Sequence, residues 1–248
     1  MKILATYNIK GGVGKTASAV NLAHVAAGRG NRVLLWDLDP QGAATFYFRV
    51  KPKVKGGGEA LLSGRRDLGD VIKGSDFDNL DIVPADFSYR HLDLMLDEAR
   101  KPLARLRKVL ASVADEYDYV FLDCAPSISL TSESVFRAAD ALLVPVIPTT
   151  LSIRTFDQLD RFVDENPEIV RKLKILGFFS MADTRKRLHR ELADELRQQR
   201  PELLATQIPM DTDIERMGIH RQPVTAESPR SRPARAYQAL WDEILERL

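Results

Sequence analysis

The sequence predicts an α/β fold: a single domain over residues 1–248, with a mostly parallel, twisted sheet flanked by helices on both faces. Three observations carry this. Short apolar runs alternate with helical patterns along the whole chain, the pattern of βα units feeding a parallel sheet. The runs are compact and rich in β-branched or aromatic residues, as strands buried on both faces require. No internal repeat or interdomain linker interrupts the 248 residues, a length that can bury a full core without covalent staples.

Taken in order, residues 3–7 read as the first strand, and a glycine loop follows at once. Residues 15–28 are the first helix and 32–37 the second strand. The stretch 51–58, Lys51-Pro52-Lys53-Val54-Lys55-Gly56-Gly57-Gly58, is the most loop-like and reads as a mobile surface excursion of the same domain. Strand 80–83 is followed by helix patterns at 87–100 and 102–114. Strand 119–123, helix 130–138, strand 141–146 and helix 152–166 come next. Strand 174–179, helix 187–199, a short strand at 206–208 and a final helix at 234–248 complete the chain.

Composition bounds the function. Hydrophobic residues make up 44% and charged residues 29%, a soluble globular balance. The formal net charge is +1, so any nucleic-acid surface must come from a local cluster. Cys124 is the one cysteine, which excludes an intramolecular disulfide and fits a reducing compartment. It also excludes a zinc or iron–sulfur site within one subunit. The chain runs from Met1-Lys2 straight into a strand, without the apolar run and cleavage site of a secretory signal. No stretch is long and apolar enough to span a bilayer. These features lead to a cytoplasmic expectation.

The glycine loop carries the strongest chemical signal. Lys10-Gly11-Gly12-Val13-Gly14-Lys15-Thr16-Ala17 follows the first strand and opens the first helix. Glycines let backbone N–H groups turn inward around phosphate oxygens. The helix N-terminus adds its positive dipole end. Lys15 supplies a point charge for the outer phosphates, and the Thr16 hydroxyl can ligate magnesium. This is a phosphate loop in a shorter, lysine-led form, because Ile9 or Lys10 holds the place of the usual first glycine. It makes the fold a P-loop NTPase with ATP and Mg2+ as the expected ligands. Two apolar strands end in acid nearby. Asp123 is the expected magnesium-side carboxylate, Asp37 assists the metal or its waters, and Asp39, just beyond the second strand, orients or activates the attacking water.

At these residues the chain resembles the ParA/MinD family of deviant Walker A ATPases over almost its whole length. The markers are the loop from Lys10 to Thr16, Asp37-Leu38-Asp39-Pro40-Gln41-Gly42, and Asp123-Cys124-Ala125-Pro126-Ser127. Ile208-Pro209 looks like the family's adenine-side loop, which puts Pro209, Met210 and Asp211 among the nucleotide contacts. The stretch from Ser231 to Tyr237 looks like the start of its final helix. The resemblance implies that Lys10 reaches across a dimer to the partner's nucleotide, neutralising charge on the transferring phosphoryl group. It also implies that Asp39 handles the lytic water and that ATP binding drives homodimerisation.

The family divides by what its ATP dimer engages. Its iron-protein branch needs two cysteines per subunit and is excluded. Its membrane branch uses a C-terminal amphipathic helix. Here Leu240, Trp241, Ile244, Leu245 and Leu248 make an apolar stripe. The opposite face carries Asp242, Glu243, Glu246 and Arg247 and lacks lysine, so packing onto the domain is the better account and no stable membrane association is expected. Its DNA branch binds without sequence preference and is released when a partner stimulates hydrolysis. Arg185, Lys186, Arg187 and Arg190 form the densest basic cluster; Arg216, Arg221 and Arg235 add to it, with Arg230 and Arg232 nearby. Such residues would give salt-sensitive phosphate binding. The acidic run from Asp211 to Glu215 departs from relatives that carry basic residues there. No helix-turn-helix precedes the first strand, which argues against sequence-specific repression.

The expectation is therefore a dimerising ATPase that binds nonspecific DNA in its ATP state. It positions a plasmid, chromosome or protein cargo through an adaptor that stimulates ATPase, and it is nucleoid-associated while ATP is bound. The alternatives are a MinD-like membrane-associated ATPase and, further off, a P-loop biosynthetic ligase of the dethiobiotin or cobyrinate synthetase kind.

Overall fold

The computed structural model describes residues 1–170 and 173–248. The chain order is β1 (Lys2–Thr6), α1 (Lys15–Gly28), β2 (Val33–Asp37), α2 (Ala43–Tyr47), α3 (Gly57–Ser63), β3 (Lys73–Gly74), β4 (Leu80–Val83), α4 (Leu92–Asp97), α5 (Pro102–Ala111) and β5 (Tyr119–Asp123). It continues with α6 (Leu130–Ala138), β6 (Ala141–Val146), α7 (Thr150–Glu165), β7 (Lys174–Ala182), α8 (Arg187–Gln199), β8 (Leu203–Pro209), α9 (Thr212–His220), α10 (Val224–Glu227) and α11 (Arg232–Arg247).

The strands form one eight-stranded sheet in the order β3-β4-β2-β5-β1-β6-β7-β8. All pairings are parallel except β3 with β4. The central strands are buried along almost their whole length, which explains their unbroken apolar runs. Two cores lie against the two faces. One gathers apolar side chains of α3 to α8, including Leu61, Leu106, Phe136, Phe156 and Ala193. The other gathers those of α1, α2 and α9 to α11, including Val20, Ala44, Met217, Val224 and Trp241. Most of the C-terminal stripe is spent on this second core, with Leu248 packed at its margin and Leu245 left exposed. Leu240, Trp241 and Ile244 are fully buried, and the Trp241 ring meets Tyr119 edge-on at 5.0 Å. Among the described residues no helix is long and apolar enough to cross a membrane.

Several elements differ from the sequence expectations. The 87–100 helix is a 3₁₀ turn over Phe87–His91 followed by the short α4. The Asp86 carboxylate accepts from Ser88 N at 2.9 Å and caps that turn. Residues 51–58 are tied down rather than looping free: Val54 is buried, its N–H donates to Asp86 Oδ2 at 2.8 Å, and Gly57 and Gly58 already belong to α3. The last strand begins at Leu203 instead of 206. The elements α2, α3, α9 and α10 and the two-residue β3 had no sequence signal of their own.

Candidate nucleotide site

Topology puts the site's side chains together before any ligand arrives. Strand β1 lies between β5 and β6, so the loop leaving β1 emerges beside the carboxyl end of β5. Thr6 is in register with Asp123, and Asp123 with Asp37. Ligand-handling groups of parallel sheets sit at this edge.

The loop is held from behind. Asn8 is buried; its amide donates to Pro145 O at 2.8 Å, and its carbonyl oxygen accepts from Lys10 N at 2.9 Å. Gly12 and Gly14 have φ of 71° and 93°, a region that side chains rarely adopt. At Gly14 a Cβ would also come within 2.8 Å of Ser180 Oγ, so the glycine permits both the turn and the close approach to β7. Gly14 is the N-cap of α1 and has no side-chain cap, which leaves the helix's first N–H groups for an anion. Val13 is buried and fixes the turn to the core; Gly11 is exposed and Ala17 half-buried.

Lys15 is 7% exposed, and its Nζ donates to Lys10 O at 3.1 Å. Burial lowers its pKa, opposed by the negative charges of Asp123 and then Asp39. Lys10 is half-buried, with Nζ donating to Ser152 Oγ at 3.0 Å. Asp123 is wholly buried: Thr6 Oγ1 donates to its Oδ1 at 3.3 Å, whereas Oδ2 has no hydrogen-bond partner among the described residues. Burial, followed by the charge of Asp37, pushes the Asp123 carboxyl well above its usual range; the Thr16 hydroxyl beside it only partly offsets this. Asp37 is pushed up to about 6, again by burial first, although Thr45 N and Thr45 Oγ1 donate to its Oδ2 at 2.8 and 2.7 Å. Asp39 is half-buried and caps its own turn, its Oδ1 accepting from Gln41 N at 2.9 Å.

An unpartnered buried carboxylate oxygen is costly unless a cation or proton completes it. The orphaned Asp123 Oδ2, the Thr16 hydroxyl and the uncapped helix start fit a magnesium–phosphate ligand. Among the described residues no three His, Cys, Asp or Glu side chains form a metal cage, so phosphate oxygens and water would complete the shell. Asp37, with both oxygens already accepting from backbone or Thr45 groups, is better suited to hold the carboxylate pair and metal-bound water than to ligate directly. On the adenine side, Pro209 is buried and Met210 exposed, and Asp211 caps α9 by accepting from Asp213 N at 3.0 Å.

The basic residues lie on helices of both layers, and the starts of α8 and α9 leave the neighbouring strands β7 and β8, whose ends are joined by Met210 N donating to Ala182 O at 3.1 Å. Arg185, Lys186, Arg187 and Arg190 lie exposed at the start of α8, on the face covered by α3 to α8. Arg216 and Arg221 belong to α9 and its C-cap, and Arg235 to the first turn of α11, on the opposite face. Several already have partners. Arg185 forks onto Asp183 at 3.0 and 3.1 Å, and Arg187 meets Glu191 at 2.6 Å. Arg221 donates to Phe46 O at 3.1 Å and stacks on the Phe46 ring, a structural tie between α9 and α2. Asn8, Thr45, Ser152 and Ser180 were missed by sequence reasoning. Of these, only Asn8 had a local signal, its place beside the glycine loop.

A buried lysine on a glycine turn beside two strand-end carboxylates defines a P-loop nucleotide-binding protein. The family model of an AAA domain matches residues 1–175. The sporulation initiation inhibitor protein Soj of Bacillus subtilis is 33% identical over 98% of this chain and 98% of its own. The chromosome partitioning protein ParA of Myxococcus xanthus is 30% identical over 99% of this chain and 88% of its own. A structure of cobyrinic acid a,c-diamide synthase from Mycobacterium smegmatis, with bound ATP analog and magnesium, is 27% identical with a TM-score of 0.83, covering 99% of this chain and 94% of that one. The chain belongs to the ParA/MinD family of P-loop ATPases.

Proposed function

We propose that residues 1–248 form one ParA-like ATPase domain that works as a nucleotide-controlled dimer switch. ATP and magnesium are its ligands. The carrying observation is Asp123 Oδ2, buried and without a hydrogen-bond partner among the described residues, beside the loop that presents Lys15 and Thr16. The γ-phosphate would add contacts at this site that exist only before hydrolysis, which is what a switch needs.

The roles follow from position. Gly11, Gly12, Val13, Gly14 and Ala17 present backbone groups to the phosphates, and Lys15 leaves Lys10 O to neutralise them. Thr16 and Asp123 hold the metal, with Asp37 behind them; when bound, magnesium supplies positive charge against the β- and γ-phosphates. Asp39 holds the attacking water and accepts its proton. Lys10 leaves Ser152 and reaches the nucleotide of a second copy. Pro209, Met210 and Asp211 flank the base.

In the ATP state the dimer binds duplex DNA without sequence preference. Lys186, Arg190 and Arg216, which have no carboxylate partner among the described residues, contribute most. An adaptor stimulates hydrolysis and release, and the cycle positions a cargo on the nucleoid in the cytoplasm. The names of Soj and ParA support this reading, and burial of the α11 stripe weighs against a membrane-docking tail. The M. smegmatis relative favours a ligase as the second reading; ATP turnover strictly dependent on a small carboxylate or diamine would select it.

The test pairs two variants. Lys15→Ala should lose nucleotide binding by about 100-fold, the scale of a lost charge-assisted contact of about 3 kcal/mol. Asp39→Ala should retain ATP and form a stable dimer, seen as doubled mass by light scattering, while turnover is lost. Unchanged affinity in the first or normal turnover in the second contradicts the assignments.

A further inference from the structure

The lysine-rich segment 51–56 has no part in the nucleotide site, yet it is built into the fold. Val54 is 3% exposed and acts as its anchor. Its N–H is bonded to Asp86 Oδ2 at 2.8 Å, and its carbonyl accepts from Gly57 N at 2.9 Å. On either side of this anchor, Lys51, Lys53 and Lys55 are exposed at alternate positions. They wall a groove of about 620 Å³ whose lining also includes Val50, Val71 and Lys73. Lys73 lies on β3, the edge strand, and among the described residues no strand pairs with β3 on its outer side.

Four lysines therefore share two nearby carboxylates, Asp70, which is already within 3.5 Å of Arg66, and Asp86, which lies beside Lys53 and is already bonded to Val54 N and Ser88 N. Among the described residues none of the four is ion-paired. Holding like charges around one concavity is unfavourable without an anionic partner. Among the described residues no aromatic side chain lines the groove for a base to stack on, and the arginine at its margin, Arg66, is held by Asp70. The groove has apolar surface from half-buried Val50 and the lysine stems beside an unpaired sheet edge, which suits an extended peptide that adds main-chain bonds and places alternate side chains.

We propose that this groove is a docking site for an extended acidic peptide segment of a partner protein, with aliphatic residues between its carboxylates. The carboxylates meet Lys51, Lys53, Lys55 and Lys73, the aliphatic side chains cover half-buried Val50 and the lysine stems, and the peptide backbone runs along β3. This goes beyond the nucleotide site and does not depend on it.

The test is fluorescence anisotropy of the full chain with a labelled peptide of alternating glutamate and valine. Two controls run beside it: a peptide of alternating lysine and valine, and a labelled single-stranded oligonucleotide of equal charge. The glutamate peptide should bind, weaken with salt, and lose at least about 10-fold in affinity in the exposed-residue variant K53E/K73E. The variant K101E/K108E, in a different basic groove on α5, should bind as the parent does. Circular dichroism melts of both variants would establish that each is folded. Three results would overturn the proposal: no binding of the glutamate peptide, equal loss in the two variants, or tighter binding of the oligonucleotide at this groove.

Discussion

Asp123 carries a conflict between stability and function. Its buried Oδ2 lacks a partner among the described residues and its neighbour Asp37 is a second carboxyl, an arrangement that costs stability at the oxygen proposed to hold a cation. Asp123→Asn should raise the melting temperature of the nucleotide-free protein by about 2–4 °C, equivalent to about 1 kcal/mol, while abolishing the magnesium-dependent part of nucleotide affinity. Calorimetry with and without magnesium checks both; a lower melting temperature would mean that the carboxylate is satisfied in the free chain. Lys10 presents a different problem, because it is tethered within its own subunit. Ser152→Ala removes the hydroxyl that holds its Nζ. Releasing one bond of about 1 kcal/mol in each of two subunits should favour the extended lysines and tighten ATP-driven dimerisation about 25-fold by analytical ultracentrifugation. No change would show that the tether does not compete with the dimer contact. At this scale Lys15, Thr16 and the strand-end acids were legible because their spacing is local. Ser152 and Ser180 were not, since they reach the loop from β6–α7 and β7, and only the sheet order makes them neighbours.

Among elements, α1 is the hinge between site and fold. Its N-terminus forms the phosphate cradle, and its body is sealed under α10 and α11. Asn21 Oδ1 accepts from Thr225 N and Oγ1, both at 3.1 Å, and His24 Nδ1 lies 2.9 Å from Thr225 Oγ1. Burial lowers the His24 pKa below the usual 6.5. The unfolded chain therefore binds the imidazole proton more readily than the folded one. His24's contribution is fully present above about pH 6.5 and is lost as pH falls through the depressed folded value. Replacing it with glutamine should flatten the fall in thermal stability between about pH 6.5 and 5 relative to the parent; parallel stability–pH curves would contradict this. The long elements were readable from their apolar runs. The short α2, α9 and α10 were not, because a helix of one or two turns shows too little periodicity and owes its stability to tertiary contacts. The start of β8 was hidden for a related reason, as an edge strand with an exposed and two half-buried residues lacks the continuous apolar run of the centre.

For the whole molecule, the sheet order was not legible, although the parallel sheet was: alternation of strands and helices implies right-handed crossovers but leaves the order open. That order brings Asp37, Asp123 and the loop after β1 to one edge, and so turns separate sequence motifs into one site. It also sets the starts of α8 and α9 at this edge, because they follow the neighbouring strands β7 and β8, and under the proposed function an ATP dimer would present two such sets of basic residues. DNA affinity should then depend on dimerisation and hence on ATP. The most direct measurement is binding to unrelated duplex DNA with ATP, with ADP and without nucleotide across a salt series, using Asp39→Ala to hold the ATP state. The account predicts binding only with ATP, indifferent to sequence and weakening by at least about 10-fold between 50 and 200 mM salt. Equal binding in all three nucleotide conditions, or none by the trapped ATP form at low salt, would contradict it.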